Sequence, residues 1–579
     1  MDGSCSNSFD LLQGPSWRLG ILEVILMKIL LGAVNAKYIH SNLAVYSLRA
    51  SAGEYRDDIL LREYTINQQE DEILKDIWKN QPALICFSCY IWNISFVKEI
   101  IHDVHKLFPQ VPIWVGGPEV SYDAVAFLEE NPQVTGVMKG EGEATFCDVL
   151  SYYYGVGKYS SLADIPGIAL RQGTEIVDNP WREVLDLSTL PFPYEDMDGF
   201  DHKIIYYESS RGCPFSCSYC LSSVDKKLRF RDTELVKKEL QFFIDRKVPQ
   251  VKFVDRTFNC SHRHAMEIWK YIKEHDLGIT NFHFEVAADL LNDEELELIA
   301  TMRPGLIQLE IGVQSTNPQT IEAIHRKMDF SKVSACVRKV QEGRNIHQHL
   351  DLIAGLPYED YESFRRSFND VYALEPEQLQ LGFLKVLKGS YMHEMAESYE
   401  CRYKEKEPYE VLSTKWLPYE DILKLKQVES MVEVYYNSRQ FSHTLPFLVE
   451  KFSCAFDFYQ SLGAFYEEKG YEEISHSRMR RYEILLEFLK EKTKISLEEV
   501  QRLLTIDLYE RENLKSRPAW MSDQRPYQKA IREYIRLHKL SKTAHIEVFS
   551  QETLLFDYEK RDPLTNNTRG IKIDLFCTE

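Results

Sequence analysis

The stretch 208–220, ESSRGCPFSCSYC, sets Cys213, Cys217 and Cys220 at spacings of four and three residues, directly behind a β-rich run at 203–208. Further strand candidates follow at 251–254, 282–286, 306–311, 349–353 and 379–386, with helix-length amphipathic segments such as Asp232 to Arg246 between them. Six βα units in a row predict a partial barrel, with the three thiols at the end of its first strand. Upstream, from Met27 to about residue 150, short runs at 28–34, 59–65, 83–88, 111–117 and 134–139 alternate with helical patterns. The runs ALICFS and VPIWVGG are apolar on both faces, as strands of a doubly wound parallel sheet are.

Four loops would then meet at the carboxyl edge of that first sheet, where such folds take ligands: Asn35 to Asn42, Ser88 to Asn93, Gly116 to Ser121 and Gly140 to Glu143. Residues 151–200 carry DIPGIAL and LPFPYED, and this Pro-punctuated stretch reads as a linker. Beyond about 395 the pattern turns helical, at 419–436, 477–491, 496–511 and 526–538. Three alternating runs close the chain, HIEVFS, TLLFDY and GIKIDL, and predict a small antiparallel sheet. The expected organisation is α/β: a Rossmann-like domain at 27–150, a linker at 151–200, a partial barrel at 201–392, and a helical C-terminal domain with a small sheet at 393–579.

Composition narrows the class. Of the 579 residues 44% are hydrophobic and 27% charged, which excludes wholesale disorder. Acidic side chains number 89 against 69 basic ones, a net charge of -20 that repels phosphate backbones and argues against nucleic-acid binding. The run Ile21 to Val34 is broken by Glu23 and Lys28 and is shorter than the ~20 residues of a spanning helix. It lacks a basic start and a small-residue cleavage site, so MKILLGAV from Met27 reads as a first core strand and residues 1–26 as an appended or misassigned start. Twelve cysteines spread over a long chain, with one tight group, suggest a reducing, cytoplasmic setting.

Three thiolates in one loop match the ligand demand of a cubane iron–sulfur cluster with one iron left free, whereas structural zinc wants a fourth ligand nearby. A zinc loop or buried thiols is the alternative. Cys213-x3-Cys217-x2-Cys220, with Tyr219 before the last cysteine, resembles the signature of radical S-adenosylmethionine (SAM) enzymes. VKFVDRTFN, FHFEVAADLL, IQLEIGVQS and HLDLIAGLPYE resemble that family's successive strands in order, over about 200–390. The resemblance implies a [4Fe-4S] cluster on Cys213, Cys217 and Cys220, with SAM on its open iron. It places Asp255 near the methionine amine, although the family's Gly-Gly-Glu wording is absent. It offers Glu285, and Glu310 or Gln314 with Ser315, for the ribose and methionine ends, and Ile353, Gly355 and Pro357 behind the adenine. For each polar side chain the alternative is a satisfied barrel-interior group.

A Rossmann-like domain ahead of such a barrel resembles the cobalamin-binding class of these enzymes. Ser88 and Tyr90 in FSCYIWN, Gly116, Gly117 and Glu119 in IWVGGPEVS, and Gly140 and Glu141 in GEGEATF carry the likeness. The implied reason for the glycines is close passage of the corrinoid's nucleotide tail. A nicotinamide or flavin site would call for G-x-G-x-x-G after the first strand, which is missing. Cobalamin proteins with an axial histidine use Asp-x-His-x-x-Gly; the stretch Tyr38 to Leu43 keeps the histidine as His40, beside Ser41 and Asn42, without the Asp or the Gly. His40 is therefore read as an axial ligand, a polar contact to corrinoid or substrate, or a satisfied loop histidine. NAKYIHSNLAVYSLRA, MVEVYYNSRQFSHTLPFL and the helical C-terminal domain resemble one uncharacterised bacterial subgroup of this class.

The resemblance implies reductive cleavage of SAM to a 5′-deoxyadenosyl radical and methylation of an unactivated carbon through methylcobalamin. A small molecule or peptide would be the substrate, and flavodoxin or ferredoxin the low-potential electron donor. The alternatives are oxidative cyclisation or rearrangement without methylation, and RNA modification, for which Arg478 to Arg481 would dock phosphates unless that run is a solvated helix face. A sensor that binds cobalamin without catalysis is disfavoured by the cysteine triplet. The aromatic-rich C-terminal helices are expected either to cap the barrel mouth or to pack as core.

Overall fold

Every position of the run ILLGAVN is buried in β1 (Ile29–Asn35). Leu30 and Val34 enter the hydrophobic layer on one side of the sheet, while Ile29, Leu31 and Ala33 enter the layer on the other, as alternation along a strand requires. A computed structural model describes residues 27–575 other than 196, 198, 542, 563 and 564; the N-terminal stretch 1–26, read above as an appended start, lies outside the described residues. β2 (Ile59–Thr65), β3 (Leu84–Ser88), β4 (Ile113–Gly116) and β5 (Gly136–Met138) join β1 in parallel, in the order β2-β1-β3-β4-β5.

The sheet does not stop there. β6 (Ile168–Gln172) and β7 (Glu175–Asp178) add an antiparallel hairpin to its β5 edge, so the linker expected at 151–200 contains two strands of the first sheet. The physical reason is local. Ile168, Ala169 and Leu170 are buried against β5, and Gly173 turns the chain at φ +61, so Pro166 and Pro180 bracket a hairpin rather than mark a tether.

The second sheet begins with β8 (Ile205–Tyr207). A short ribbon of β9 (Ser210–Arg211) with β10 (Arg229–Phe230) frames the cysteine loop. β11 (Gln250–Phe253), β12 (Asn281–Val286), β13 (Ile307–Gln314), β14 (His347–Ala354) and β15 (Gln378–Phe383) complete an all-parallel sheet in the order β15-β14-β13-β12-β11-β8. Its two ends do not pair, so the barrel is open, as the six-unit pattern predicts. The outer edge of β15 is covered: Leu379 donates its N–H to the Asn437 amide at 3.0 Å, and that amide donates back to the Leu379 carbonyl at 2.9 Å.

After the ribbon of β16 (Arg402–Tyr403) with β17 (Val411–Ser413), helices follow at Tyr419–Met431, Ala455–Lys469, Arg478–Lys492, Leu497–Arg511 and Gln528–Leu537. β18 (His545–Val548), β19 (Thr553–Phe556) and β20 (Gly570–Ile573) form the expected antiparallel sheet. The first four of these helices share one hydrophobic core with the barrel, whereas Gln528–Leu537 packs against the terminal sheet. Phe368, on the helix Tyr361–Tyr372 outside β14, meets Phe456 and Tyr459 edge-on. Of the two readings of the aromatic helices, core packing on the barrel flank describes these rings. Within the basic run Arg478 pairs with Glu512, and Arg480 pairs with Glu483 and Glu487. No helix among the described residues is long and apolar enough to cross a membrane.

Candidate functional site

Gly212 enters the cysteine loop at φ +89, where a Cβ would lie 2.7 Å from the Lys227 carbonyl oxygen, so only glycine lets the loop fold back on itself. The Cys213 N–H donates to the Asp225 carbonyl at 3.3 Å. Ser218 donates its N–H to Ile324 at 2.9 Å and accepts at its carbonyl from Met392 at 2.8 Å. The loop is thus held from the barrel and from the segment after it. Cys213 and Cys217 are buried, Cys220 is half-buried, and all three are free thiols. Burial pushes the Cys213 thiol up, and the nearby Cys220 and Cys217 push the same way. Arg326 places Nη1 3.7 Å from Cys217 Sγ and 3.4 Å from the Tyr219 hydroxyl, and donates to the Gly312 carbonyl. The half-buried guanidinium thus brings positive charge beside the cysteine loop. Three such sulfurs fit an iron–sulfur cluster.

Around this loop the structure sorts the predicted barrel residues. Gln314 is at φ +71, with its Oε1 buried and without a hydrogen-bond partner, an orphaned acceptor on the strand whose Gly312 carbonyl binds Arg326. Burial pushes Glu285 up to about 7, with Arg256 the main opposing charge. Glu310 is engaged by Lys252 and His283, each at 2.9 Å. Ser315 is fully buried and donates to Glu359 at 2.6 Å. Gly355, at φ +88, leaves room for Val411: a Cβ would lie 2.7 Å from its Cγ1. Ile353 is half-buried and Pro357 buried in the same corner. Asp255 is turned inward, accepting from the Ser209 N–H at 3.0 Å, from the Ser209 hydroxyl at 3.1 Å and from the Ser210 hydroxyl. Burial raises it to about 7. Its role in this conformation is to anchor the start of the cysteine loop, while Val254 and Arg256 beside it face open space.

That space is a cavity of about 1210 Å³ between the two sheets. The loop after β1 supplies His40, Ser41 and Asn42 to its wall, and the end of β3 supplies Ser88 and Tyr90. The turn after β4 brings Gly116 and Gly117, and the turn after β5 brings Gly140 and Glu141. The barrel contributes Tyr206, Glu208, Arg211 and Arg256, and Val224 and Asp225 follow from the far side of the cysteine loop. Nine residues predicted from separate loops therefore share one wall. Glu119 does not join them: it is buried and accepts from the Tyr409 hydroxyl, tying the first sheet to the segment after the barrel.

Several wall groups suit a large, flat, polar-edged ligand. Tyr90 and Trp92 stack with centroids 4.4 Å apart and planes 7° apart, and Trp181 stands on the opposite turn. Asn42 holds its Oδ1 buried without a donor, while its Nδ2 leans on Asn35 at 3.3 Å and Ser88 at 3.5 Å. An orphaned acceptor beside an aromatic shelf fits a ligand that carries amide side chains, as a corrinoid does. Gly117 departs from the expected reason for a glycine. At φ +120 its Cβ would sit 2.3 Å from the Cys89 carbonyl oxygen, so the close approach is of backbone to backbone inside the domain.

The domains are stitched beside the cavity. His40 Nδ1 lies 2.7 Å from the Tyr206 hydroxyl, and Ser41 Oγ donates to the Ile204 carbonyl at 2.8 Å. Arg211 spans Glu143 of the first domain at 2.8 Å and Glu208 of the barrel at 2.7 Å, and Arg229 donates to Glu141 at 2.6 Å. Nothing in the motifs read from sequence marks Tyr206, Arg211, Arg229 or Arg326 as site residues, whereas Arg256 lies in the Val254-Asp255-Arg256 segment that the resemblance sets near the methionine amine. Each acts through a partner distant in the chain, and only the position of Arg211 and Tyr206 near the cysteine motif could have drawn notice.

Comparison with known proteins agrees with this geometry. Residues 29–150 match the B12 binding domain family and residues 207–371 the radical SAM superfamily. The chain thus carries a B12 binding domain followed by a radical SAM domain. Residues 397–563 of the chain match a family described as a protein of unknown function, DUF4080. It is 30% identical over 302 residues to the cobalamin-dependent radical SAM methyltransferase TokK of Streptomyces tokunonensis, covering 49% of this chain and 44% of that one. It is 28% identical over 301 residues to the 2-(S-pantetheinyl)-carbapenam-3-carboxylate methyltransferase of Streptantibioticus cattleyicolor, again covering 49% and 44%. The chain spans less than half the length of either relative. Among solved structures, TsrM from Kitasatospora setae, with tryptophan and a SAM analogue bound, superposes with a TM-score of 0.53 at 18% identity, over 65% of this chain and 77% of that one. OxsB with aqua-cobalamin and SAM superposes with a TM-score of 0.52 at 15% identity, over 89% and 76%. Both show the fold. The family's cofactors are a [4Fe-4S] cluster, SAM and cobalamin.

Proposed function

We propose that this protein is a cobalamin-dependent radical SAM C-methyltransferase acting on a small molecule or peptide. The observation that carries the reading is the single cavity whose walls join the corrinoid-type loops of the first sheet to the cysteine loop of the second. Cys213, Cys217 and Cys220 would hold the [4Fe-4S] cluster. Tyr219, Glu285 and Gln314 would meet SAM, with Arg326 adding a cation that the sequence reading lacked. Ile353, Gly355 and Pro357 would back the adenine, with Ser315 and Asp255 shaping the loops behind. His40, Ser41, Asn42, Ser88, Tyr90, Gly116, Gly117, Gly140 and Glu141 would surround cobalamin.

When bound, these groups supply one-electron cleavage of SAM and a transferable methyl group, chemistry that the protein itself does not perform. The chain's part is positional. The Arg211 and Arg229 ion pairs keep the two sheets in register, so that ligands held by one domain stay at a set distance from those held by the other. Trp92, Trp181 and Tyr90 reduce the water in contact with the cavity contents. The acidic balance of the chain supports a small-molecule or peptide substrate over nucleic acid, and ten free described cysteines suit a reducing, cytoplasmic setting with a flavodoxin or ferredoxin donor.

The test is anaerobic reconstitution with iron, sulfide and hydroxocobalamin, followed by reduction in the presence of SAM labelled in its methyl group and a panel of candidate substrates. Label in the product together with 5′-deoxyadenosine supports methylation. Deoxyadenosine with an altered but unlabelled product would assign a rearrangement or cyclisation instead. Cys217→Ala should remove both the cluster and SAM cleavage.

A further inference from the structure

Inside the barrel, away from the cysteine loop, a second set of ligand atoms converges. β13 and β14 run in register with Glu310 opposite His349 and Gly312 opposite Asp351. His349 and Asp351 are two residues apart on one strand and so point to one face, the face that Glu310 shares. One ligand atom each from Glu310, His349 and Asp351 lies within 4.8 Å of the other two. His283, on the neighbouring β12, adds its Nε2 at 2.9 Å from Glu310 Oε2.

His349 Nε2 lies 2.9 Å from Asp351 Oδ1. His283 Nε2, His349 Nε2 and Asp351 Oδ1 are all buried, and neither imidazole–carboxylate contact is well aligned as a hydrogen bond. Both histidines are 6% exposed, so water does not supply the missing partners freely. Donor atoms held about 3 Å apart match the spacing of neighbouring ligands around one small cation with bonds of about 2.0–2.2 Å.

Charge points the same way. Lys252 pairs with Glu310 at 2.9 Å, which leaves Asp351, among the described residues, as the carboxylate of the group without a Lys or Arg partner. The charged contact of Asp351 is His349.

We propose that Glu310, His349 and Asp351 form a binding site for one divalent transition-metal ion inside the barrel. Mixed imidazole and carboxylate donors suit Zn2+, Co2+, Mn2+ or Fe2+, not a thiophilic ion or Ca2+. The ion would tie β13 and β14 together and is separate from anything the three cysteines hold, so the site stands or falls independently of the cluster.

The test uses the full chain with Cys213, Cys217 and Cys220 all changed to Ala, stripped with chelator and titrated with Co2+. The expected result is one equivalent of Co2+ per chain, with visible d–d absorption, no thiolate charge-transfer band, and displacement by Zn2+. His349→Ala and Asp351→Ala should each weaken Co2+ binding by at least about tenfold, with circular dichroism unchanged. If either fails to fold, the near-isosteric His349→Gln and Asp351→Asn take its place. Zn2+ should also raise the Tm of the parent and not of these variants. Absence of stoichiometric binding, or binding that both ligand variants leave intact, would overturn the site.

Discussion

The Tyr206 hydroxyl lies 2.7 Å from His40 Nδ1, so a barrel side chain fixes the ring of a histidine that belongs to the other domain. Burial depresses the His40 pKa, and Lys37 and Lys252 add to the effect. Its stabilising contribution is present above the ordinary histidine range and fades as pH falls below about 6.5, where the unfolded ring takes a proton that the folded one resists. A histidine Cε1–H titration should show His40 neutral at pH 7, and Lys252→Met should move its midpoint upward. Tyr206→Phe should lower unfolding free energy by about 1 kcal/mol in urea.

Gly117→Ala should be among the most damaging single changes in the first domain. Its Cβ would meet the Cys89 carbonyl oxygen at 2.3 Å in a backbone region that only glycine enters freely, so the turn after β4 must move. Chemical unfolding should report a loss of about 1–3 kcal/mol, and hydroxocobalamin should no longer co-elute with the protein in gel filtration. Unchanged stability with lost retention would instead place the nucleotide tail directly against Gly117.

Arg211→Met should cost about 3 kcal/mol in urea unfolding, because it strands Glu143, whose side chain is 7% exposed, across the domain seam. Adding Glu143→Gln should return part of that loss by removing the orphaned charge. Cooperative unfolding of the two domains should separate into two transitions in the single variant and merge again in the double one.

Glu285 titrates at about 7 because burial disfavours its charged form. A folded pKa above the unfolded one gives stability that is complete at low pH and is lost as pH rises through the folded value. Glu285→Gln should therefore gain stability relative to the parent as pH increases from 5 to 8. A difference in urea midpoint that stays flat over this range would show the carboxyl already ionised.

Much of the architecture could be read from local pattern. The parallel strands of both sheets fall where runs such as ALICFS and IQLEIGVQS lie, because a strand buried on both faces needs an unbroken or strictly alternating apolar series. Gly212 and the cysteine spacing are equally local, since the loop must fold back within a few residues. The hairpin of β6 and β7 escaped notice because its strands are short and its flanking prolines look the same in a tether and in a turn. Asp255 and Glu119 were read as open to ligands, since nothing beside them in the chain announces Ser209, Ser210 or Tyr409 as their partners.

The division has one physical source. Hydrophobic period, glycine conformation and thiol spacing act over a few residues, so the sequence alone determined the two sheets, the open barrel and the cysteine loop. Which polar groups face the cavity depends on contacts between residues far apart in the chain, and burial decides those energies. Only the tertiary structure could turn Asp255 inward, bring Tyr206 to His40 and Arg211 to Glu143, and gather Glu310, His349 and Asp351 within reach of one another.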